Sequence, residues 1–160
     1  MADDGLLTAP AGRNVGFYIN RAMRLLRELL EIELAGAGIN AQQAAAIREV
    51  HRREQAGDPG TVTEICHYLA IDKSVFSALL TRLVRGRWLA TQPNPADSRS
   101  RLVVVGDRGV EMMPGIAAAT QRSLERACAD LTPEQLDQLA GLLGIVIGAA
   151  ERELGREPDA

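Results

Sequence analysis

The sequence predicts a mainly α-helical fold carrying one small antiparallel hairpin of two or three strands. Apolar residues recur at helical spacing through most of the chain, and only the stretch from Arg87 to Val105 switches to short β-type runs on either side of a turn. Aromatic residues make up 3% of the chain, so its core must be assembled from Leu, Ile, Val, Met and Ala. With 160 residues, 46% of them hydrophobic, the chain suits a single domain or one protomer of an oligomer.

Residues 1–13 are small and polar and read as a disordered tail. From Asn14 to Ala35 a helical pattern runs through Ala22, Leu25, Leu26, Leu29, Leu30 and Ile32, an apolar surface wider than one stripe. Gly36-Ala37-Gly38 stops it. Asn40, with Gln43 three residues on, opens a helix from Ala41 to Gln55, and "GDPG" at 57–60 is a turn. Thr61 and Glu64 form a capping box that starts a short helix with Ile65, Cys66 and Leu69 inward. Asp72 caps the next helix, Lys73 to Arg85; two short helices joined by a tight turn make a helix-turn-helix.

In that second helix Phe76, Leu79, Leu80 and Leu83 recur at core-facing spacing. Ser74, Val75, Ser77, Ala78, Thr81 and Arg82 must then point outward. After Gly86, "RWLATQ" and "RLVVV" read as strands joined through the turn Asn94-Pro95-Ala96-Asp97, with Arg99 and Arg101 held near its tip. A helix from Asp107 to Asp130 follows, with a kink expected at Pro114-Gly115. The last helix opens on Thr132-Pro133-Glu134-Gln135, and Leu142, Ile145 and Ile147 widen its apolar face beyond Leu136, Leu139, Leu143 and Val146. First and last helices that are apolar on more than one side predict a homodimer in which they wrap around each other, with Leu136, Leu139, Leu143 and Val146 as dimerisation residues.

Net charge is −3, but it is unevenly distributed. Residues 73–108 hold 7 basic against 2 acidic side chains, while the flanking segments are both acidic. A basic middle between acidic flanks fits a face that meets a polyanion. No long apolar run or signal-peptide pattern is present, so a soluble cytoplasmic protein without a membrane partner is expected. Cys66-His67, His51 and Cys128 lack zinc-ligand spacing, and the two cysteines make no disulfide scaffold. Neither a metal nor a cofactor is expected. With no nucleophile–base set or phosphate loop, the chain does not read as an enzyme. Cys66 reads as a core residue, Cys128 as a buried residue of a dimer helix, His51 and His67 as surface or boundary side chains, and Trp88 as a packing anchor.

The order helix, helix, helix-turn-helix, two-stranded wing, helix, helix, from about Val15 to Leu154, resembles the multiple-antibiotic-resistance repressor (MarR) family. "LAIDKSVFSALLTRLVRGRWL" at 69–89 is similar to its recognition-helix segment. Asp97-Ser98-Arg99, followed by "RLVVV" and Gly109, is similar to its wing signature. The resemblance implies a winged helix-turn-helix spanning 61–106, with 14–56 and 107–154 mainly forming the dimerisation region. It further implies a homodimeric, sequence-specific regulator of transcription, a repressor released by a small aromatic or phenolic ligand, on a pseudo-palindromic operator in double-stranded DNA. Ser74, Ser77 and Arg82 would lie at the DNA face and Arg99 in the minor groove.

Three positions depart from the family pattern. Ala70 stands where glycine is common and is expected to keep a negative φ. Ala78 replaces a residue that is polar or basic in relatives. Gly106 replaces a Thr or Ser cap, which should weaken the helix start.

A recognition helix reads base edges in the major groove, where Ser74, Ser77 and Thr81 can donate or accept and Val75 and Ala78 can pack on thymine methyls. Lys73, Arg82 and Arg101 suit phosphates, and Asp97 can brace the Arg99 guanidinium. Other readings are a constitutive regulator without a ligand and a winged-helix adaptor that binds another protein.

Overall fold

Side-chain caps start four of the six helices. The computed structural model describes residues 14–155, so the tail expected to be disordered at 1–13 lies outside the described residues. The elements are α1 (Val15–Glu33), α2 (Ala41–Gln55), α3 (Val62–Tyr68), α4 (Lys73–Arg85), β1 (Leu89–Pro93), β2 (Arg101–Val105), α5 (Asp107–Ala127) and α6 (Pro133–Glu153). Asn14 caps α1, and reciprocal capping boxes open α2 (Asn40 with Gln43), α3 (Thr61 with Glu64) and α6 (Thr132 with Gln135). The Thr61 amide, and then its hydroxyl, hold the Glu64 carboxyl below its ordinary pKa. Asp72 occupies the N-cap of α4, but its side chain makes no capping bond, contrary to expectation. Extended backbone there is what turns the chain into the helix.

Three successive helices end in one motif. The α2 exit has Gly57 N–H bonded to Glu54 O and Asp58 N–H to Arg53 O, both at 3.0 Å. After α3, Ala70 and Ile71 reach back to His67 and Cys66; after α4, Arg87 and Trp88 reach back to Val84 and Leu83. Such a pair of bonds needs one left-handed residue just past the cap. Gly57 adopts it without a Cβ penalty, but Ala70 (φ 51°) and Arg87 (φ 61°) do not escape that penalty. The negative φ expected for Ala70 is therefore corrected. The tight turn from α3 into α4 demands the left-handed residue whatever the side chain.

The core lies among α2, α3, α4, α5 and the wing. Ile47, Ile65, Phe76, Leu83 and Val103 are at 0% exposure, and Ile116 is at 1%. The wing is a two-stranded antiparallel hairpin in register from Leu89↔Val105 to Pro93↔Arg101. A third strand is reduced to the single bridge Thr61↔Leu102, beside Val103 N–H bonded to Gly60 O. Thr61 is also the N-cap of α3, so pairing ends where the helix begins.

The chain divides into two compact units, with the boundary between Leu124 and Glu125 near the end of α5. Helix α5 runs through Pro114 and stops at Ala127, short of the expected Asp130. Cys128 thus follows the helix in a turn and is half-buried rather than buried within it. In the second unit, α6 holds no buried residue. No described helix is long and apolar enough to cross a membrane.

Replacing Ala70 by Gly should relieve the left-handed strain and raise unfolding free energy by about 0.5–1 kcal/mol. Gly57→Ala should lower it by a similar amount. Denaturant midpoints at one protein concentration check both, and an unchanged or lower midpoint for Ala70→Gly would contradict the strain.

Candidate nucleic-acid interface

Burial along α4 separates two faces cleanly. Phe76, Leu79, Leu80 and Leu83 are buried, while Lys73, Ser74, Val75, Ser77, Ala78, Thr81 and Arg82 are all exposed. The two central hydroxyls are already engaged. Ser77 Oγ donates to Lys73 O at 2.7 Å, and Thr81 Oγ1 donates to Ser77 O at 2.9 Å. Their protons point back along the helix, and their lone pairs face outward as acceptors. Further round the same exposed face, Val75, 48% exposed, and Ala78 present methyl groups.

The wing leaves α4 through Gly86, Arg87 and Trp88. Trp88 is a packing anchor, 4% exposed, with the Arg108 guanidinium 4.4 Å from its ring centroid. Gly106 donates its N–H to Trp88 O, and a Cβ there would lie 2.4 Å from Arg87 O. At Gly109 a Cβ would lie 2.2 Å from Trp88 O. Gly106 offers α5 no capping side chain, as expected, and the close approach of Arg87 O adds a reason for glycine there that the cap reading did not contain. No side chain fits at that position, and the missing side chain is what lets the backbones touch.

At the wing tip, Asp97 Oδ1 accepts the Arg99 backbone N–H at 3.0 Å and its Nε at 3.5 Å. The first bond sets the turn; the second is long, and the Arg99 side chain remains 93% exposed. Asn94 ties the far side of the tip to Ser100 Oγ at 2.8 Å. Arg101 behaves differently: its Nε and Nη2 donate across the hairpin to Thr91 Oγ1 and Thr91 O, each at 3.0 Å. It is laid along the wing with part of its guanidinium already used.

Sequence reasoning missed the wing's anchor on α2. Glu54 Oε2 accepts the Val105 N–H at 2.9 Å, tying α2 to β2. Nothing local marks Glu54 for this role. Arg87 was missed too, both as a left-handed residue and as the partner of Asp107 at 2.8 Å. Buried Glu49 was not singled out either, although Arg52 and Arg53 bond it at 2.9 and 2.7 Å.

Cys66 is buried in the core, and burial pushes its thiol pKa up against the opposing pull of Lys73. Among the described residues no group of three His, Cys, Asp or Glu could hold a metal ion. His51 is half-buried and His67 exposed. Leu136, Leu139, Leu143 and Val146 are 38%, 43%, 38% and 49% exposed. Two adjoining cavities of about 550 Å³ each share Ala45, Arg48 and Leu69. The second also reaches Ala70 and Ile71, the turn of the helix-turn-helix.

A two-helix reader, a wing on its C-terminal end and a family model for the MarR family matching residues 37–100 all coincide. The chain has the winged-helix fold of MarR-family structures. The MarR fold extends over nearly all of it. A MarR transcriptional regulator from Methanosarcina mazei Go1 superposes with a TM-score of 0.77 at 19% identity, over 86% of this chain and 96% of that one. AbsC, a MarR family transcriptional regulator from Streptomyces coelicolor, gives 0.76 at 23%, over 92% and 97%. A mutant MarR from E. coli complexed with operator DNA gives 0.72 at 24%, over 82% and 92%. No curated protein matches the sequence.

Glu54→Ala should leave the Val105 amide without its partner and loosen the wing by roughly 1–2 kcal/mol. Glu54→Gln, which keeps an acceptor oxygen, should restore most of that. Hydrogen exchange at Val105 reads the difference, and protection unchanged in the Ala variant would remove Glu54 from the wing's support.

Proposed function

We propose that this chain is a homodimeric, sequence-specific regulator of transcription that grips double-stranded DNA with α4 in the major groove and the wing in the adjacent minor groove. The observation that carries this reading is the pairing of an exposed hydroxyl-and-methyl face on α4 with a hairpin whose tip holds Arg99 almost fully out in water. Arg99 suits a narrow A·T-rich minor groove, where the negative potential is deepest. Lys73 and Arg82, at the two ends of the α4 face, suit phosphates, as does what remains free of the Arg101 guanidinium. The E. coli MarR bound to operator DNA, which shares this fold, supports the assignment.

The dimer reading rests on the exposed apolar side chains of α6, too many for water alone. Repression relieved by a small aromatic or phenolic ligand is the finer form of the proposal. The cavity between α1, α2, α5 and the helix-turn-helix turn favours it, since its apolar lining of Leu26, Leu30 and Ile71 is joined by two cations, Arg27 and Arg48, suited to an acidic group. A ligand there would bear directly on the turn that aims α4. A regulator of this kind works beside the chromosome, in keeping with the expected cytoplasmic location.

Binding to a selected duplex should weaken steeply between low and moderate salt, with a slope set by the phosphates neutralised. Salt-insensitive binding, or none, would favour the protein-adaptor reading. Arg99→Ala should weaken specific binding and relax the A·T preference at the flanks. Arg82→Ala should weaken specific and non-specific binding alike and reduce the salt slope by about 1. Light scattering at micromolar concentration should give the mass of a dimer; a monomer would contradict the symmetric grip.

A further inference from the structure

Resting on the reading above, we infer that the recognition helix selects A·T pairs at the centre of each half-site by thymine-methyl contact and hydroxyl acceptors, and reads no guanine there. Three observations on α4 lead to this.

First, the part of the face that enters a groove is its N-terminal portion, from Ser74 to Thr81. It contains no Arg, Lys, Asn or Gln. Guanine is read chiefly by a cation forked onto O6 and N7, and this stretch has none. Lys73 stands at the first helical position, and Arg82 lies nine residues on, roughly 13.5 Å along the axis at 1.5 Å per residue. That separation matches the width of the major groove, so the two cations meet opposite walls rather than the floor.

Second, Ser77 and Thr81 donate their protons to Lys73 O and Ser77 O. They present lone pairs to the groove floor, and a lone pair is repelled by the guanine acceptors N7 and O6. The acceptor surface suits an exocyclic amino group, adenine N6 or cytosine N4. Third, Val75 and Ala78 project methyl groups from the same face, and the thymine 5-methyl is the apolar feature of the major groove. Of the base pairs, A·T alone offers an amino donor and a methyl together. The departure at Ala78 from a polar side chain thus replaces one mode of reading by another.

Base-analogue substitution tests this on a duplex selected from a random pool by the full-length protein. Thymine to deoxyuridine at the half-site centre removes only the methyl and should weaken binding about fourfold per contacted methyl. The loss should vanish in the Val75→Ser variant, whose change lies on an exposed position and leaves the core untouched. Where a selected duplex nonetheless carries a guanine at that centre, replacing it by 7-deazaguanine, which lacks N7, should leave binding unchanged. Binding indifferent to deoxyuridine, or more sensitive to 7-deazaguanine, overturns the inference while the DNA-binding reading stands. Absence of salt-dependent binding to any duplex overturns both.

Discussion

The wing is aimed by a place where two stretches of backbone touch. Gly106 and Gly109 bring the start of α5 against the carbonyls of Arg87 and Trp88, closer than any side chain would permit. Trp88 O receives the Gly106 amide and Arg87 O the Arg108 amide, at 3.0 and 3.1 Å. Arg87 can stand there only because it has turned left-handed at the end of α4. Recognition helix, hairpin and α5 are thereby joined without a flexible link. Moving α4 drags the base of the wing with it, and Glu54 adds a second fixed point on β2. A reader with two separate elements needs this stiffness, because slack between them would forfeit the entropy saved by presenting both at once.

The helix starts were legible in the sequence because a cap is local. Asn40 with Gln43, Thr61 with Glu64 and Thr132 with Gln135 each declare a start within four residues. The outward face of α4 followed by elimination, once Phe76, Leu79, Leu80 and Leu83 were turned inward. The left-handed residues were not legible. Nothing in an alanine or an arginine announces a positive φ; the demand comes from where the next helix or strand must go. At Gly106 the sequence showed only half the matter for a related reason, since glycine at a helix start looks like no more than a poor cap when judged alone. Its necessity lies in the Arg87 carbonyl, brought close by the hairpin. Glu54 and Val105, 51 residues apart, belong to the same class.

Two arginines near one hairpin tip looked equivalent in the sequence and are not. Arg99 is held by its backbone amide, which fixes the turn and leaves the guanidinium in water. Arg101 spends two donors on Thr91, which stiffens the stalk. One residue is therefore available to a ligand and the other is largely part of the wing. The basic midsection counted in the sequence overstates the free charge for the same reason, because Arg87 faces Asp107 and Arg108 lies over Trp88. Lys73, Arg82, Arg85 and Arg99 are left as the cations most open to phosphate or a groove. All four lie on α4 or the wing, so a chain with net charge −3 can still present one positive face.

The apolar surface of α6 bears on how that face would be used. Leu136, Leu139, Leu143 and Val146 recur at spacings that form one stripe along the helix. Leu142 and Ile147, 55% and 57% exposed, border that stripe on its two sides, and Ile145, 69% exposed, lies well round the helix from it. A single flat contact would bury the stripe and leave Ile145 wet, whereas a helix inserted among several helices of a second copy would cover the whole broad face. Such an enclosure would hold two copies together through packed side chains. In the dimer proposed above, a symmetric pair of readers would match only an operator whose half-sites repeat at their spacing, so the pairing that the breadth of α6 favours would itself narrow the choice of DNA.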